Sequence, residues 1–155
     1  MSEKTIKIYL DNCCYNRPFD NLSQEKIRNE AAAKVFIQSL IKYQSLSLYY
    51  SLYYSFMSLH EINANPFTRN REHINNFLKE YASVYISAKR ISEIEEIANL
   101  VMQTGIKKKD AIHLSCSIVA ECDFFVTTDK RVLNHITDKI KIVNPIDFVK
   151  IWSEV

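Results

Sequence analysis

Two hydrophobic periods alternate along the chain, and their order predicts the fold. Residues Ile6-Lys7-Ile8-Tyr9-Leu10 alternate and then turn wholly apolar, the pattern of a buried first strand. Over residues 23–42 the spacing becomes helical. Ile27, Ala31 and Val35 recur at i, i+4, i+8, and Ala32, Phe36 and Leu40 repeat that pattern one position over. A Tyr/Leu/Ser stretch over residues 46–54 has strand composition, and a short helix carrying His60 and Glu61 follows it, stopping before Pro66. Ile74, Phe77, Leu78 and Tyr81 mark a further helix, and Val84-Tyr85-Ile86 a strand. Ser92 and Glu95 form an S-x-x-E capping box for the next helix, which Gly105 closes. Asp110 opens a helix running to about Cys122. Two short strands, Phe124-Phe125-Val126 and Ile140-Lys141-Ile142-Val143, precede a last helix that Asn144-Pro145 begins and that ends near Trp152.

Strands alternating with helices predict a mainly parallel sheet covered on both faces, a three-layer α/β/α domain. No linker or repeat divides residues 1–155, so a single domain is expected. Ligands of such sheets bind beyond the carboxyl ends of the strands. Four carboxylates fall there in sequence: Asp11 after the first strand, Glu61 after the second, Asp110 on the helix leading into Phe124-Phe125-Val126, and Asp129 just beyond it. Clustered carboxylates raise one another's pKa unless a cation neutralises them, and oxygen-only ligation suits Mg²⁺ or Mn²⁺. Such ions polarise phosphoryl oxygens and activate water, as nucleases and phosphatases require. Taken singly, Asp110 and Asp129 also read as favourable charges at helix N-termini, and Asp11 as a strand end.

Composition narrows the chemistry. Gly105 is the single glycine, whereas dinucleotide fingerprints, P-loops and nucleophile elbows each need several. The formal charge of +2 is too small to argue nucleic-acid binding from the whole molecule, so any such case rests on a local patch. No apolar run of 18 residues exists, and the N-terminus runs straight into a strand, so neither membrane span nor signal peptide is expected. Cys13, Cys14, Cys116 and Cys122 match neither a zinc ribbon nor a C-x-x-C pair, and read as reduced thiols in a cytoplasmic protein.

At this point the chain resembles the PIN-domain family, the metal-dependent ribonucleases that include VapC-type toxins. The resemblance spans nearly the whole chain. It is sharpest at Lys109-Asp110-Ala111-Ile112-His113-Leu114 followed by Cys122-Asp123-Phe124-Phe125-Val126-Thr127-Thr128-Asp129. Ile8-Tyr9-Leu10-Asp11-Asn12-Cys13 resembles the family's opening strand and first acidic residue, and Ser58-Leu59-His60-Glu61 supplies the acid after the second strand. The resemblance implies a single PIN-like domain over residues 1–155, with Asp11, Glu61, Asp110 and Asp129 as catalytic, metal-holding acids. It makes Thr127, with Asn12, a site-orienting residue. It implies an Mg²⁺- or Mn²⁺-dependent endoribonuclease acting on RNA, with an antitoxin protein and a second copy of the chain as partners. Two positions depart from the pattern. Cys13 stands where a polar Asn or Ser is common, and Arg131 where some members carry another acid. Both bear on a second metal ion more than on the first.

Other residues carry weaker signals. Lys107, Lys108 and Lys109 precede Asp110 and read either as a cationic lip for RNA phosphates or as a solvated loop, and Arg17 has similar standing. Tyr49, Tyr50, Tyr53 and Tyr54 could stack on bases, but fit a core or an oligomer interface better. His60 and His113 lack an H-x-x-x-H partner, and His113 reads as a packed helix residue. Asp123 reads as structural. Two other functions remain: a catalytically degenerate PIN-like module that binds RNA or protein, and a small-molecule metal-dependent phosphatase. Asn12 and Cys13 after Asp11 argue against an Asp-x-Asp phosphatase.

Overall fold

A computed structural model describes residues 6–16, 24–42, 50–81 and 84–153. Arg17, Tyr49 and the first residues of the expected second strand lie outside that range. The elements follow the chain as β1 (Ile6–Leu10), α1 (Asn12–Asn16), α2 (Glu25–Lys42), β2 (Tyr50–Ser55), α3 (Phe56–Asn63), α4 (Thr68–Tyr81) and β3 (Val84–Ile86). After a 3-10 turn (Ala88–Arg90) come α5 (Ile91–Met102), α6 (Lys108–Val119), β4 (Phe124–Val126), α7 (Lys130–Leu133), β5 (Lys141–Val143) and α8 (Pro145–Ser153). The five strands form one sheet in the order β3-β2-β1-β4-β5, and every described pairing is parallel.

Side-chain alternation along β1 divides the core in two. Tyr9 faces one layer with Tyr53 and Phe125, against Ile94, Ala98 and Val101 of α5 and Ala111, Ile112 and Leu114 of α6. Ile8 and Leu10 face the other with Leu52 and Val126, against Ile37 of α2, Ile62 of α3, Ile74 and Leu78 of α4, and Phe148 of α8. Both sheet faces are therefore covered, the three-layer α/β/α arrangement expected of parallel strands.

Three local expectations are corrected. The Ser92–Glu95 capping box does not exist, because Ser92 lies inside α5, whose N-cap residue Arg90 makes no side-chain cap bond. The 3-10 turn before α5 is started by Ser87, which accepts from Lys89 N–H at 3.4 Å. A true capping box sits at α3 instead: Ser55 accepts from Met57 and Ser58 N–H, and Ser58 Oγ accepts from Ser55 N–H. Asp110 lies in the first turn of α6 rather than opening it, since the helix begins at Lys108 and ends at Val119, short of Cys122. Third, the buried side of α2 runs through Glu30, Ala31, Lys34 and Ile37, while Val35 and Phe36 are exposed. α5 ends at Met102 with Gln103 as its C-cap, and Gly105 lies in the turn beyond it, with a φ of +98° and its N–H bonded to Met102 O at 3.0 Å.

Candidate functional site

The strand order reverses direction between β1 and β4, and a crevice opens outside their carboxyl ends at such a switch point. Asp11 leaves β1 there, its N–H bonded to Val126 O of β4 at 2.9 Å. Thr127 leaves β4 beside it. Helices that lead into a parallel strand start at this same edge, so the first turn of α6 brings Asp110 in, and α3, following β2, brings Glu61.

Asp11 is 3 % exposed and tightly held. Its Oδ1 accepts from Asn12 N–H at 2.8 Å, and its Oδ2 accepts from the Thr127 hydroxyl at 2.8 Å. Thr127 Oγ1 in turn accepts from Asp129 N–H at 3.1 Å, tying the loop after β4 to the end of β1. The Asn12 side chain bonds Glu61. Cys13 also belongs to this group: its thiol lies 3.6 Å from Asp11 Oδ2 and 3.5 Å from Thr127 Oγ1, and accepts from Thr128 N–H at 3.3 Å. Cys14 is buried against Val126 O, and all four thiols are free.

The electrostatics show crowded negative charge. Burial, then the charges of Asp11, Asp129 and Glu61, pushes Asp110 up to about 6 against the relief given by His113. Burial would raise Glu61 too, but the His113 hydrogen bond and charge, with Lys109 and Asn12, hold it below its ordinary value. His113 is wholly buried, which disfavours its charge, yet the bond to Glu61 and the charges of Asp11, Glu61 and Asp110 raise its pKa.

His113 is the residue that the sequence reading undervalued. Its Nε2 lies 2.8 Å from Glu61 Oε1 and 4.0 Å from Asp11 Oδ1, and its Nδ1 lies 2.6 Å from the Tyr9 hydroxyl. That hydroxyl also meets Ser55 Oγ at 2.7 Å and Ser58 Oγ at 3.0 Å. Burial raises the Tyr9 pKa well above normal, so the phenol stays protonated. With the imidazole charged, Nδ1–H donates to Tyr9, and the Tyr9 proton goes to a serine. A signal for His113 was present in the sequence: it follows Asp110 by three residues, which puts both on one helix face.

Other sequence candidates lie around or away from the group. Lys107, Lys108 and Lys109 are exposed at the start of α6, with the Lys109 charge acting on Glu61. Tyr53 belongs to the core and Tyr54 stacks on Tyr85. Asp123 accepts from Lys7 N–H at 2.8 Å, at the opposite edge of the sheet.

The carboxylates of the group, one of them pushed up to a pKa of about 6, are oxygen donors of the kind that suit a hard cation. Yet among the described residues no three His, Cys, Asp or Glu side chains are arranged so that they could hold a metal ion. As arranged here, Glu61 bonds His113, Asp11 bonds Asn12 and Thr127, and Asp129 Oδ1 accepts from Arg131 and Val132 N–H at the start of α7, bonds that an entering cation would share or displace. No protein-family model matches the chain, and no curated protein matches it either. Among the described residues, no helix is long and apolar enough to cross a membrane.

Proposed function

We propose that the protein is a metal-dependent endoribonuclease of the PIN-domain type, cutting RNA with Mg²⁺ or Mn²⁺ held by Asp11, Glu61, Asp110 and Asp129. The observation that carries this reading is Asp110, kept near a pKa of about 6 by burial and by the other three carboxylates at the switch point of the sheet. Such a cation supplies charge neutralisation of the scissile phosphate and a water of lowered pKa. The chain's own residues do the rest. Thr127 and Asn12 fix the Asp11 carboxylate, and His113 holds Glu61. Lys107, Lys108, Lys109 and Arg17 supply positive charge for phosphates. The VapC resemblance extends the proposal to a cytoplasmic toxin that pairs with itself and is restrained by an antitoxin protein. Light scattering on the purified chain tests the self-pairing.

The deciding experiment is RNA cleavage across a Mn²⁺ titration, with thermal melts in the presence and absence of EDTA. Asp11→Asn keeps the shape and weakens one ligand, so cleavage should fall by roughly 10²-fold or more while the fold survives. Asp123→Asn should lose stability but keep cleavage per folded molecule. Wild-type-like cleavage by Asp11→Asn at limiting metal would sink the proposal. A second reading, a degenerate PIN-like module that binds RNA or protein without cutting, draws support from the dispersed bonding of the acids. Calorimetry separates the two, because only the enzyme takes up Mn²⁺ through these carboxylates.

A further inference from the structure

Next to Asp129 lies a cleft of about 700 Å³ lined by Thr104, Gly105, Arg131, Asn134, His135 and Ile136. It opens between the turn that ends α5 and the end of α7. Arg131 joins it to the acidic group, since it lines the cleft and its backbone N–H donates to Asp129 Oδ1 at 2.8 Å. Among the described residues the lining carries a guanidinium, an imidazole, a hydroxyl and an amide, and no carboxylate. Thr104 Oγ1 lies 3.4 Å from His135 Nδ1, against the cleft wall. Ile136 is 94 % exposed, a large apolar face left to solvent at the same place.

We infer that this cleft is a nucleotide subsite, receiving the residue of a single-stranded RNA that flanks the bond cut at the acidic group. Its phosphate pairs with Arg131 and His135, and its base lies against Ile136. The source of the strand rests on the endoribonuclease reading; the chemistry of the cleft does not. Positive and neutral donors without a carboxylate select an anion, and a guanidinium suits phosphate in particular. The volume falls within the roughly 300–1,000 Å³ usual for small-molecule sites, larger than a bare phosphate needs. An apolar residue beside the guanidinium matches a base attached to that phosphate. Bases of single-stranded RNA are free to be read in this way.

The single glycine gives the test its probe, because Gly105 alone supplies a glycine amide signal in a ¹H–¹⁵N spectrum. In EDTA, adenosine 5′-monophosphate should shift that signal saturably, and adenosine or inorganic phosphate alone should bind more weakly. Arg131→Gln, which keeps the backbone bond to Asp129, should weaken the nucleotide by roughly tenfold, and His135→Ala should weaken it as well. The trinucleotide ApApA, whose phosphates are all diesters, should shift the same amide. A Gly105 signal that ignores the nucleotide, or equal affinity in Arg131→Gln, overturns the subsite. A cleft that answers to the mononucleotide but not to ApApA overturns its assignment to an RNA strand. A protein that cuts RNA while the cleft stays silent loses this inference alone. One that binds both probes and cuts nothing loses the nuclease reading alone.

Discussion

His113 Nε2 stands 2.8 Å from Glu61 Oε1 and 4.0 Å from Asp11 Oδ1, so a buried imidazole sits between two of the acids. Their pKa shifts agree in direction, His113 raised and Glu61 lowered, as an ion pair requires. The sign follows for each partner. His113 adds stability below its unfolded value near 6.5 and loses it as pH rises through its higher folded pKa. Glu61 adds stability above its unfolded value and loses it as pH falls through its lower folded pKa. The pair is therefore strongest between those two folded values. His113→Ala leaves Glu61 and Asp11 without that partner and should cost about 3 kcal/mol at neutral pH, read by urea unfolding in EDTA. A loss that stays the same across pH 4 to ~9 would show the histidine to be mere packing.

Asp110 carries the opposite burden. Its folded pKa of about 6 lies above the ordinary value of 3.8, so its contribution is fully present below that lower value and is lost as pH rises through 6. Asp110→Asn removes a buried charge that Asp11, Asp129 and Glu61 repel. In EDTA its melting temperature should exceed the wild type above pH 6, with the difference fading towards pH 4. Metal should reverse the order, because the carboxylate is then a ligand and the amide a poor one. A variant that is less stable than wild type at pH 8 in EDTA would count against the repulsion.

Much of this architecture was legible in the sequence, for physical reasons that differ between elements. Phe124-Phe125-Val126 and Val84-Tyr85-Ile86 were readable because short apolar runs suit strands covered on both faces. Asp11 was marked by a strand end, whereas Thr127 was marked only by the family resemblance. The helix α2 was misjudged because hydrophobic period assumes that charge faces water, whereas its inner side buries Glu30 and Lys34. The Tyr9–His113–Glu61 chain was invisible for another reason. It joins residues separated by 104 and 52 positions, and no local pattern records such contacts. Ser92 failed as a cap because an S-x-x-E spacing fits a helix interior equally well.

Gly105 isolates a backbone effect. Its φ of +98° is one that L side chains rarely adopt, and an added Cβ would meet nothing within 4 Å. Gly105→Ala should therefore cost about 1 kcal/mol through backbone strain alone, without a clash. Thermal melts can check this, and a loss several times larger would mean that the turn rearranges.

Lys34 offers the cleanest pH signature outside the acidic group. It is 1 % exposed on the inner side of α2, with its ammonium 5.8 Å from the centre of the Phe77 ring. Burial lowers its pKa from 10.5 to about 7, and the nearby Cys14 only partly opposes that. Between those values the unfolded chain binds the proton and the folded chain does not, so Lys34 makes stability climb from pH 7 towards 10.5. Below pH 7 the penalty is complete and stops changing. Lys34→Met keeps the aliphatic length, fills the same space and has no proton to release. Whatever its absolute stability, it should lack the rise in unfolding free energy that the wild type shows above neutrality. Urea unfolding at pH 7, 8 and 9 reads this slope directly. Parallel curves for the two proteins would mean that Lys34 keeps its proton in the folded state throughout.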